Sequence, residues 1–177
     1  MSHRGRYADL LILGQHDPDN PLPACLPQDF CEAVLIDSGR PALVVPYIGV
    51  PATFGKVALV AWKNTRESAR ALSAALPMLL RCEHVHVVAW DEGDGSDREA
   101  PLDIERYLCR HGIGIRIHRR DAAPKNIGDA LLSLVADTSA NLLVMGCYGH
   151  SRAREWVLGG ATRAVLKSMT VPVLMAH

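Results

Sequence analysis

Four glycines in the last third of the chain are spaced as an anion site would need them. Gly146 ends an apolar run, Gly149 follows three residues later, and Gly159 and Gly160 open a helical pattern. A glycine at Gly146 or Gly149 admits positive φ and lets a ligand come close to the backbone. The free N–H groups and dipole at a helix start favour a phosphate, which would sit over Gly159, Gly160 and Ala161. His150, Arg152 and Arg154 lie between the glycines, either to cover phosphates or as a solvated loop. The spacing is neither the dinucleotide fingerprint nor a Walker loop. Cys147 with His150 would suit nucleophilic catalysis, but a Cys and a His in a glycine-rich turn need not face each other. Phosphate binding is therefore preferred. No carboxylate pair is placed for magnesium and no base stands beside a nucleophile, so the chain reads as a binder and not an enzyme.

The elements that must hold this loop alternate between two periods. Val57–Trp62, His84–Trp90, Ile113–His118, Asn141–Met145 and Val171–Ala176 read as strands. Asn64–Leu80, Pro101–Arg110, Lys125–Asp137 and Gly159–Met169 read as helices, with Asn64 or Thr65 as an N-cap and Pro77 as a kink or early end. Strand–helix alternation predicts a doubly wound α/β fold around a parallel sheet, whose ligands bind beyond the strands' carboxyl ends at the switch point. His84, His86 and His118 fall in strands. Their alternation suits a metal, but with no third ligand near they are read as rim histidines.

Composition narrows the function further. The 177 residues carry 19 basic and 19 acidic side chains, so no net positive field exists for nucleic acid. Apolar runs fall far short of the roughly 18–20 residues that span a bilayer. The polar, basic N-terminal residues make a poor signal peptide, and five cysteines without a C-x-x-C or zinc spacing read as reduced thiols, so a cytoplasmic protein is expected. The neutral total hides a gradient. Residues 1–50 hold three basic and six acidic residues, whereas residues 110–177 hold nine and four.

Two stretches repeat. Ala8–Gly14 matches Ala140–Gly146 at an offset of 132, and Gly39–Val45 matches Thr170–Ala176 at 131, with helical patterns between (Gln28–Ser38 and Gly159–Ser168). Residues 1–50 thus read as the second half of a degenerate repeat, 51–55 as a linker and 56–177 as a complete domain. After Gly14 comes Gln15-His-Asp-Pro-Asp19, without further glycines and with two carboxylates, so this copy should not bind phosphate.

At the glycine loop the chain resembles the universal stress protein family. Gly146, Gly149 and Gly159 match the G-x2-G-x9-G-(S/T) of its nucleotide-binding members, and the resemblance covers residues 55–177, including Val60–Thr65 and the helix Ser68–Leu80. It implies a flavodoxin-like, Rossmann-like five-stranded parallel sheet of order 3-2-1-4-5, with an N-terminal strand–helix–strand added, in a tandem member whose first domain is incomplete. It implies ATP or AMP as ligand. Gly146 and Gly149 would lie at phosphate and ribose, and Gly159 and Gly160 under the phosphates. Ala61, Trp62 and Lys63 at the first strand's end, and Val88 near the second's, would flank adenine. Two positions depart from the pattern. Lys63 stands where the family has Asp, and either contacts phosphate or excludes nucleotide. Gly160 replaces the Ser or Thr, and Thr162 is two residues further on. The alternative reading is an interaction module that binds no nucleotide. The resemblance also implies antiparallel pairing of Ala42–Pro46 with Val171–Ala176, within one chain or between two, and a homodimer through edge strands.

Overall fold

A computed structural model describes residues 5–19, 27, 29–90, 100–120, 123–147 and 160–177. Its elements run in the order β1 (Leu11–Gly14), α1 (Phe30–Ser38), β2 (Ala42–Val45), β3 (Val57–Trp62), α2 (Arg66–Leu79), β4 (His84–Trp90), α3 (Ala100–Arg110), β5 (Ile115–Arg120), α4 (Ile127–Asp137), β6 (Leu142–Gly146), α5 (Gly160–Ser168) and β7 (Val173–Ala176). None of the described helices is long and apolar enough to cross a membrane.

One seven-stranded sheet has the order β1-β2-β7-β6-β3-β4-β5. Every neighbouring pair is parallel except β2 and β7. The run β7-β6-β3-β4-β5 is the doubly wound 3-2-1-4-5 order that the family resemblance implies. Strands buried on both faces require unbroken apolar runs, and Val57-Ala-Leu-Val-Ala-Trp62 supplies one. Because a strand alternates its side chains, Ala58, Val60, Leu142 and Val144 meet α2 and α3 on one face. Leu59, Val88, Leu143 and Met145 meet α1, α4 and α5 on the other.

Local chemistry sets the helix ends. Thr65 is the N-cap of α2, its hydroxyl accepting from the Ser68 N–H at 3.3 Å. Asn126 caps α4 in the same way. Pro77 lies inside α2 on its exposed side, where water can satisfy the carbonyl that proline leaves unbonded, and the helix ends two residues later. The strand expected at Ile113–His118 begins instead at Ile115. Gly112, at φ 76°, turns the chain out of α3, and the Ile113 N–H bonds the Leu108 carbonyl at 3.0 Å. That is a Schellman ending, and Ile113 is its buried apolar residue.

The two repeated units share one register. Leu11 pairs with Ala42 and Gly14 with Val45, while Leu143 pairs with Val173 and Gly146 with Ala176. The flanking bonds correspond as well. Leu11 N–H donates to Pro41 O and Leu143 N–H to Pro172 O, both at 3.0 Å. The β2–β7 pairing is made within the chain and is centred on Leu43 opposite Leu174. Equivalent residues face each other about that point, as across a two-fold axis.

Candidate functional site

The carboxyl ends of β3 and β6 lie side by side, Ala61 opposite Met145. Here the crossovers part, α2 leaving to one face and α5 to the other, which opens the crevice of a doubly wound sheet. Ala61, Trp62 and Lys63 stand at the end of β3, all half-buried, and Gly146 and Cys147 at the end of β6. Gly160 opens α5 and is exposed, with Ala161 half-buried behind it. Gly149, His150, Arg152, Arg154 and Gly159 lie outside the described residues. Val88 lies near the end of β4, which runs on to Trp90, and its side chain is fully buried in the core.

Gly146 is glycine for a reason the sequence does not show. Its φ is not positive. A Cβ there would come to 2.6 Å from the Ser68 nitrogen and 2.8 Å from the Glu67 carbonyl carbon. The first turn of α2 packs onto the end of β6, so protein backbone by itself requires the missing side chain. Gly128 is similarly placed, since a Cβ would meet the Ala164 Cβ at 2.6 Å where α4 crosses α5.

The same packing brings in Glu67, in the first turn of α2. It is 5% exposed and accepts from Arg66 Nε at 2.7 Å. Burial pushes its carboxyl up. The hydrogen bonds from Arg66, its own backbone and Thr65, with the Arg66 charge, outweigh that and hold it below the ordinary carboxylate value. A carboxylate therefore stays ionised beside Gly146. No spacing rule could find it, because Glu67 and Gly146 are brought together by tertiary packing alone.

Cys147 is 1% exposed, and burial first, then the Glu67 charge, push its thiol up to about 12. It is neutral at physiological pH and unsuited to attack. The Trp62 indole Nε1 is buried with no acceptor among the described residues. Lys63 is half-buried. Thr162 is 3% exposed, so its hydroxyl does not open onto the crevice.

The strand histidines divide. His84 is exposed, as expected of a rim. His86 is buried, its Nδ1 lying 2.8 Å from Nε2 of His118 with the rings stacked, because β4 and β5 pair side by side. No cluster of three potential metal ligands is present among the described residues.

In the degenerate copy, Gln15 follows Gly14 as Cys147 follows Gly146. Its side-chain amide donates to Leu166 O at 2.9 Å and Lys167 O at 3.2 Å, and its carbonyl oxygen accepts from Tyr47 N–H. There the strand end ties the first unit to the last turn of α5.

Comparison with known proteins fits this geometry. A model of the universal stress protein family matches residues 48–177. The chain belongs to the universal stress protein family. Universal stress protein Slr1230 of Synechocystis is 41% identical over 46 residues, which are 26% of this chain and 16% of that protein. Universal stress protein Rv2319c of Mycobacterium tuberculosis is 31% identical over 86 residues, 48% of this chain and 28% of that protein. A solved universal stress protein from Archaeoglobus fulgidus shares the fold across 99% of this chain at a TM-score of 0.77 and 20% identity. A further one from Pseudomonas aeruginosa does so at 0.64 and 17%. The chain covers 64% and 66% of those two structures, and less than a third of the curated relatives it matches.

Proposed function

We propose that this universal stress protein is an adenine-nucleotide-binding regulator of a stress response, acting in the cytoplasm by binding and not by catalysis. The observation that carries this reading is the crevice itself. The ends of β3 and β6 adjoin at the switch point, and the glycine spacing that follows β6 leads into the start of α5 at Gly160. Such a crevice suits ATP or AMP. The backbone of Ala61 and Trp62 would flank the base, the glycine loop would pass the ribose and phosphates, and the first turn of α5 would offer free N–H groups to the phosphates. Lys63 would meet them as a point charge. A neutral Cys147 thiol favours binding over nucleophilic chemistry.

One observation favours the second reading, an interaction module without nucleotide. Glu67 keeps an ionised carboxylate next to Gly146, offset in part by its ion pair with Arg66 at 2.7 Å, and a phosphate there would feel what remains. Thermal unfolding with and without ATP and magnesium decides. A ligand at ten times its Kd contributes about 1.4 kcal/mol, or roughly 3–6 °C in Tm for a chain this size. A rise of that order, abolished by Gly149→Val, is expected. No shift at millimolar ATP or AMP would overturn the nucleotide reading. Among the described residues a Cβ at Gly160 meets nothing within 4 Å, so Gly160→Ser should add a donor worth about 0.5–1.5 kcal/mol and enlarge the shift.

A further inference from the structure

We propose that the outer edge of β5 docks an extended, acidic segment of a partner protein, which adds to the sheet as one more strand. The terminal strands of the sheet are β1 and β5. The internal repeat assigns the place beside β1. Its counterpart β6 holds β3 there, so a completed first unit would set its own strand against β1. β5 stands at the opposite end, beyond β4, where the repeat names no neighbour. Among the described residues no strand pairs with its outer side, so its outward N–H and C=O groups are open to an added strand.

Charge says which strand fits. Of the seven strands only β5 carries Arg, Lys, Asp or Glu, and all three such residues are arginines, Arg116, Arg119 and Arg120. All three are exposed, and none has a hydrogen bond or ion pair among the described residues. No carboxylate occurs from His111 to Arg120. Arginines on an edge oppose pairing with a second copy of β5, where like charges would face each other. The same charges select a partner of the opposite sign.

The two faces of β5 differ. Strand alternation puts Arg116, His118 and Arg120 on one face, and the contact of His118 with His86 marks it as the face of the β4 histidines. Ile115, Ile117 and Arg119 point to the other. Ile115 packs against the core cluster that includes Ile104 and Leu108 of α3, and both isoleucines are only half-buried. The fitting strand alternates: carboxylates beside Arg116 and Arg120, and β-branched side chains beside Ile115 and Ile117. A polypeptide also matches the edge with main-chain hydrogen bonds, as a nucleic acid does not.

Fluorescence anisotropy of a labelled Glu-Val-Glu-Val-Glu-Val peptide, titrated with the whole chain, should show saturable binding that weakens as salt rises. The peptide Glu-Glu-Glu-Val-Val-Val has the same charge without the alternation and should bind about tenfold more weakly or worse. Arg116→Glu combined with Arg120→Glu should lose about tenfold or more for the acidic peptide and gain affinity for Lys-Val-Lys-Val-Lys-Val, with an unchanged far-ultraviolet circular dichroism spectrum. Arg81→Glu, an exposed arginine just past α2, should leave binding as it is. No binding of the alternating peptide, equal binding of the two acidic peptides, or binding that survives the double reversal overturns the proposal. So does duplex DNA bound more tightly than the peptide, or self-association that the double reversal abolishes.

Discussion

Gly146 and Gly14 hold the same place in two copies of one strand, yet their surroundings differ. At Gly146 the turn Glu67–Ser68 lies where a Cβ would go, and at Gly14 nothing among the described residues lies within 4 Å. Gly146→Ala should therefore cost about 1–3 kcal/mol through backbone overlap, measurable as a lowered denaturant midpoint. Gly14→Ala should stay within about 0.5 kcal/mol of wild type. The glycine spacing was legible in the sequence because chemistry along one loop is a matter of neighbours in the chain. Glu67 was not, since its closeness to Gly146 depends on how α2 seats on β6. Cys147 shows the same limit: its identity suggested reactivity, and its burial removes it.

At the scale of elements, β4 and β5 bring His86 and His118 together, and the consequence is a pH dependence. Burial first, then the charges of His118, Arg116 and His84, lower the His86 pKa from 6.5. Between that lowered value and 6.5 the unfolded chain binds a proton that the folded chain does not, so stability must fall as pH drops through this window. The contribution is full above 6.5 and absent below the folded pKa. His86→Gln, which cannot titrate, should lose less stability than wild type between pH 7 and pH 5 in urea unfolding. Helix and strand types followed from periodicity in this region. The start of β5 did not, because Ile113 fits a strand's alternation as well as a Schellman ending, and only the bond to Leu108 distinguishes them.

At the scale of the whole molecule, the first strand–helix–strand unit continues the sheet of the rest. Its ties are the β2–β7 ladder and Gln15, which is 8% exposed. Gln15→Leu would leave the Tyr47 N–H and the Leu166 and Lys167 carbonyls without that partner. The expected cost is about 1–3 kcal/mol, seen as a Tm lower by several degrees, and unfolding should remain a single transition because one sheet runs through both units.

The sequence by itself determined the family, the strand–helix order, the internal repeat and the glycine spacing. All of these are written in local periods and offsets along the chain. Tertiary structure alone decided that the two copies share one register, that β2 closes the β7 edge within the chain, and that the arginines of β5 come to the end of the sheet. It also decided that an ionised Glu67 stands beside the candidate crevice. Each of these depends on contacts between residues tens of positions apart, and packing fixes them where no local spacing can.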